Sequence, residues 1–122
     1  NIQEYSNLSN HLVAIKSPTE DVSQYLLESK VLVLPSSYEG FGNVVVEAMF
    51  FGVTPVVTNC KGAPKEIITY GKYGYLAENE SEASFSDNIL FALEKPISEN
   101  DLFFKSSYYS VDNIAKKYIE RK

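Results

Sequence analysis

With 122 residues, of which 44% are hydrophobic and 22% charged, the chain has the material for one globular domain with a real core and is not a disordered tail. Its formal net charge of −5 argues against a nucleic-acid binder, whose affinity would come from lysines and arginines neutralising phosphates, and leaves small molecules and proteins as partners. A single cysteine, Cys60, and a single histidine, His11, exclude a disulfide framework or a Cys/His zinc site within the chain, and only carboxylate-based metal chemistry stays open.

In chain order, "HLVAI", His11 to Ile15, is a short strand. "SPTEDVSQYLLESK" follows as a helix that Ser17 or Thr19 can cap, with Val22, Tyr25 and Leu26 at helical spacing. "VLVLP", Val31 to Pro35, is a continuous apolar run of the kind buried on both faces of a parallel sheet. A glycine loop leads into a helix from about Asn43 to Phe51, stopped by Gly52. "TPVVT" is another buried strand, and "APKEIITYG" is a brief helix with Pro64 in its first turn and Gly71 closing it. "YGYLAE" is the last strand. Helical stretches follow at Ser81 to Glu94 with capping serines, at Ser98 to Lys105, and from Ser110 to the end. Strand and helix alternating at intervals of about twenty residues define an α/β fold, a doubly wound parallel sheet with helices on both faces. The one linker-like stretch is "KPISEND", Lys95 to Asp101, before the C-terminal helices of residues 98–122. The chain starts on Asn1 without a Met and reads as a fragment of something longer.

Between the second strand and its helix, Glu39 and Glu47 flank the loop Gly40, Phe41, Gly42 with seven residues between them. In open parallel sheets ligands bind at the carboxyl ends of strands, where this loop falls. Its glycines let backbone approach a ligand, and the free N–H groups at the helix start, around Asn43 to Val45, favour an anion such as phosphate. Glu47 lies one turn further, about 6 Å along the axis. Two carboxylates would repel phosphate but accept hydrogen bonds from vicinal hydroxyls. A diphosphate with a polyol at each end, a nucleotide sugar, meets both demands. A glycine-rich turn with two solvated glutamates meets the spacing equally well, and Asn43 is then a helix cap.

The segment "VLVLPSSYEGFGNVVVEAMFFGVTPVVTNCKGAPKEII" closely resembles the donor-binding domain of retaining, two-domain glycosyltransferases of the GT-B fold, family four. The likeness runs from about His11 to Leu93 and rests on Glu, seven residues, Glu set in "EGFG…EAM…G.PVV…G.P.EI". It implies that residues 1–122 are a Rossmann-like nucleotide-sugar binding domain lacking its first elements and the acceptor domain. It also implies a catalytic role for Glu39, orienting the transferred sugar, and a ribose contact for Glu47. Donor contacts are implied at Gly40 and Phe41 to the sugar, at Gly42, Asn43 and Val44 to the diphosphate, and at a turn of Gly62, Ala63 and Pro64 lining the cleft. The basic groups for the diphosphate are implied to precede Asn1, so that role is not assigned to Lys61 or Lys65, though either could approach the phosphates.

"TNCKGAPKEII" looks most like bacterial surface-polysaccharide enzymes that use UDP-linked hexoses or N-acetylhexosamines. The implied reaction is a front-side displacement onto a glycan or lipid-linked acceptor, with no metal and no cofactor, and the fragment alone is expected to be inactive. A non-catalytic α/β module binding nucleotide or protein is the alternative. The chain departs from the family at Ser29 and Lys30, at Asn59 where Asp is common, and at Ala63 where Gly is usual.

No apolar run approaches the roughly 20 residues that span a bilayer, and the N-terminus lacks a leader pattern, so a cytosolic location is expected. The C-terminal Tyr108, Tyr109, Tyr118 and Ile119, with Lys116, Lys117, Arg121 and Lys122, read either as a peripheral membrane patch at the inner face or as a solvated helix end. Cys60 is expected to be a small packed residue, and Ser36 and Ser37 to satisfy local backbone.

Overall fold

A computed structural model describes residues 12–14, 26–35 and 42–109. Four strands, β1 (Leu12–Ala14), β2 (Val31–Leu34), β3 (Thr54–Thr58) and β4 (Tyr75–Ala77), form a parallel sheet in the order β1-β2-β3-β4. The register pairs Val13 with Leu32, Val33 with Val56, and Val57 with Leu76. Five helical elements lie wholly within the described residues: α1 (Gly42–Phe50), α2 (Ala63–Ile67), a 3₁₀ turn (Thr69–Gly71), α3 (Glu82–Glu94) and α4 (Glu99–Ser106).

Every residue of β2 is fully buried, because the strand is covered on both faces. Val31 and Val33, with Val56 and Ala77, pack against Phe85, Ile89 and Ala92 of α3. Leu32 and Leu34, with Val57, face the opposite way into a larger cluster built from α1, Ile67 of α2 and Leu102 of α4. The period-two alternation of strand side chains thus divides one apolar run between two cores. Helix α1 lies between the sheet, α2 and α4, and is buried at Gly42 and at every position from Val44 to Met49.

Most element ends follow local chemistry. Ser81 Oγ accepts from the Ser84 amide at 3.1 Å and starts α3, and Ser98 does the same for α4. Helix α1 ends in a Schellman motif, with Val53 N–H donating to Ala48 O and Gly52 N–H to Met49 O. Gly52 has φ +75°, and a Cβ there would stand 2.9 Å from Glu99 Cγ. Gly52→Ala is therefore expected to lower stability by about 1–2 kcal/mol, read as a reduced urea midpoint with unchanged slope.

Three expectations change. The helix after β3 ends at Ile67, and Thr69 and Tyr70 take positive φ before Gly71, so "APKEIITYG" is one short helix plus a separate turn. "KPISEND" is not a loose linker: Ile97 packs on the α1-side core and its N–H donates to Thr54 Oγ1 at 3.0 Å. This tie brings the chain from α3 across the amino edge of β3 to α4. Finally, α1 begins at Gly42, so Asn43 is inside the first turn and exposed instead of capping it. Most of the helix expected over 17–30 and all of that expected from 110 lie outside the described residues, as do His11, Ser36 and Ser37.

Candidate functional site at the carboxyl edge of the sheet

Strands β2 and β3 are parallel neighbours, so Leu34 and Thr58 end at the same edge and the chain re-enters helix on that side twice. Helices α1 and α2 start there and their first residues touch. A Cβ built on Gly42 would lie 3.0 Å from Ala63 Cβ and 3.4 Å from Ile67 Cδ1. A side chain at residue 42 would require the two helix starts to give by a few tenths of an ångström.

The consequence is chemical as well as steric. Each helix start carries N–H groups with no intrahelical partner. In α2, Gly62 occupies the cap position with φ +138° and offers no side-chain oxygen, while Pro64 removes one donor and Glu66 N–H is taken by Gly62 O. The start of α2 has no side-chain cap, and the first turn of α1 carries no acidic residue, although that of α2 carries Glu66; two helix starts side by side present amide N–H groups that suit an electron-rich group better than a cation.

Glu47 and Asn43 are four residues apart on α1 and share one stripe of it. With the helix starting at Gly42, Glu47 is about 7.5 Å along the axis from that start. It is only 6% exposed. That overturns half of the bland reading, in which both glutamates were solvated. Among the described residues no buried side-chain nitrogen or oxygen lacks a hydrogen-bond partner.

The structure therefore gathers Gly42, Asn43, Val44, Gly62, Ala63 and Pro64 at the carboxyl edge, with Glu47 one turn behind them. Glu39, Gly40 and Phe41 lie outside the described residues. Lys61 is exposed; Lys65 holds its Nζ 5.7 Å over the ring of Tyr70, a residue of the turn that follows α2. Cys60 is a free thiol and only partly buried, less enclosed than expected of a packed residue.

Sequence reasoning missed the brace behind this edge. Thr58, 4% exposed, donates its hydroxyl to Leu34 O at 3.0 Å. Asn59 N–H donates to Ala77 O at 2.7 Å and its side-chain amide to Glu78 Oε1, while Glu78 N–H donates to Ser84 Oγ at 2.8 Å. The signal was a threonine at the carboxyl end of the fully buried strand TPVVT. Asn59, noted as a departure, is part of the brace.

An open parallel sheet, layered by helices on both faces and carrying helix starts along its carboxyl edge, defines a Rossmann-like α/β domain. The chain belongs to the family "Glycosyl transferases group 1", whose model matches residues 1–105. It is 32% identical over 102 residues to an uncharacterised glycosyltransferase of Haemophilus influenzae, covering 84% of this chain and 29% of that protein. It is 30% identical over 123 residues to sucrose synthase 1 of Hordeum vulgare, covering 96% of this chain and 15% of the other. With the amylovoran biosynthesis glycosyltransferase AmsD of Erwinia amylovora it shares 33% identity over 72 residues, 59% of this chain and 20% of that one. The chain thus spans less than a third of the length of these relatives.

Proposed function

We propose that this chain is the donor-binding part of a retaining glycosyltransferase of family four, and that the convergent starts of α1 and α2 receive the diphosphate of a nucleotide sugar. The contact of Gly42 with Ala63 carries this reading, because it sets two helix starts side by side where a ligand of an open α/β sheet sits. Membership of the group 1 glycosyl transferases supports it. Gly42, Asn43 and Val44 then offer amides to the diphosphate, Gly62, Ala63 and Pro64 form the facing wall, and Glu47 accepts hydrogen bonds from the ribose hydroxyls. Glu39, with the amides of Gly40 and Phe41, orients the sugar.

In the reaction so assigned, the acceptor oxygen bonds to the anomeric carbon on the face from which the diphosphate departs. The acceptor's proton passes to the departing phosphate, and configuration is kept. Positioning and stabilisation of the leaving group supply the rate, so Glu39 orients more than it transfers a proton. The donor is a UDP-linked hexose or N-acetylhexosamine and the acceptor a glycan or lipid-linked sugar of a bacterial surface polysaccharide made at the cytoplasmic face. The Erwinia relative, named for amylovoran biosynthesis, supports a biosynthetic role. No helix among the described residues is long and apolar enough to cross a membrane.

Amide NMR titration of the chain with UDP, a UDP-N-acetylhexosamine and GDP-mannose tests the assignment. Shifts concentrated at Gly42 to Glu47 and Lys61 to Pro64, larger for the uridine ligands, are expected. Absence of any response to all three would remove the donor-site reading.

A further inference from the structure

We propose that Thr58 is a positioning residue for the donor site, acting through its hydrogen bond to Leu34 O to hold the carboxyl end of β2 against that of β3. The proposal rests on the donor-binding reading of this edge and adds a residue to which that reading gives no role.

The two groups sit at the last residues of their strands. Leu34 is followed by Pro35 and the connection into α1; Thr58 is followed by Asn59 and the connection into α2. A side-chain bond between residues 24 apart in sequence therefore joins the roots of both site-forming connections. The bond is buried, so water does not compete for it, and a hydroxyl lost there leaves Leu34 O without that donor in an apolar setting. Past Thr58 the backbone is tied again, Cys60 N–H donating to Thr58 O and Asn59 N–H to Ala77 O. Thr58 thus adds a side-chain tie between the β3–β4–α3 brace and β2 beside the backbone ladder. The separation of β2 from β3 at this edge sets where α1 and α2 start relative to each other, and Gly42 and Ala63 leave no slack in that distance. A shift of a few tenths of an ångström at the strand ends is transmitted to the amides of Gly42 to Val44.

Thr58→Val keeps shape and removes the donor, and Thr58→Ser keeps the donor. Ile89→Val, in the core between the sheet and α3, serves as a stability control. The expected results are a rise of roughly fivefold in Kd for UDP in Thr58→Val, a Thr58→Ser value within about twofold of the parent, and an unchanged Kd in Ile89→Val at comparable Tm. An unchanged Kd in Thr58→Val overturns the proposal, and so does an equal loss in Thr58→Ser. Should the parent bind no UDP, the donor reading fails while the positioning claim is still decided by amide hydrogen exchange. Faster exchange at Gly42 to Val45 in Thr58→Val, restored in Thr58→Ser, supports it, and identical exchange in both variants overturns it.

Discussion

Gly42→Val is expected to abolish measurable donor binding and to lower stability by about 1–3 kcal/mol, the usual cost of forcing extra methyl groups into a packed site. Even the first carbon of the new side chain would stand 3.0 Å from Ala63 Cβ, tighter than carbon atoms ordinarily pack, and the two further methyl groups of valine are expected to push α1 and α2 apart. Separation of the two helix starts spreads the amides that the proposed diphosphate needs together. The effect on binding is therefore expected to exceed the effect on folding. A smaller pair of changes isolates the cause. Gly42→Ala alone is expected to weaken UDP binding by about tenfold, and adding Ala63→Gly to recover most of the loss, a coupling that a double-mutant cycle measures. Additive losses would show that the contact does not govern the site.

Glu47→Gln should raise the Kd for UDP by on the order of 10- to 100-fold, since hydrogen bonds to a charged acceptor contribute about 1.5–3 kcal/mol and each 1.4 kcal/mol is a factor of ten. The side chain is nearly enclosed, so water contributes little to replacing a lost ligand contact. Comparison of UDP with a uracil ligand lacking the ribose hydroxyls locates the effect. The substitution should matter for the first and not for the second. Equal weakening of both would move Glu47 from ligand contact to support of α1. Glu39→Ala is expected instead to leave UDP binding close to the parent and to erase the preference among UDP-sugars, as measured by competition titration.

How much of this was legible beforehand follows from the range of the interactions involved. The strands Val31–Leu34 and Thr54–Thr58 were readable because they are short runs rich in Val, Leu and Thr, bounded by turn residues, of the kind that a doubly covered sheet buries. Helices α3 and α4 were readable from Ser81 and Ser98, whose hydroxyls act within three residues. The end of α2 was not readable. Helical spacing continues through "EIITYG", yet Ile68 accepts the Tyr73 amide at 2.9 Å and is itself fully buried, so tertiary packing breaks the helix before its sequence does. "KPISEND" misled for the same reason, since its linker composition says nothing of the Thr54 hydroxyl 43 residues away.

The sequence by itself determined the alternation of elements, the parallel sheet that follows from it, and the spacing of Glu39 and Glu47 about Gly40 and Gly42. These depend on periodicity and on contacts within a few residues. Only the tertiary structure decided that Gly42 abuts Ala63, that Glu47 is enclosed instead of solvated, and that Thr58 fastens β3 to β2. Each depends on the distance between segments separated by about twenty residues or on how α1 lies among the sheet, α2 and α4. No local pattern encodes such a distance, because it is the sum of packing across the whole core.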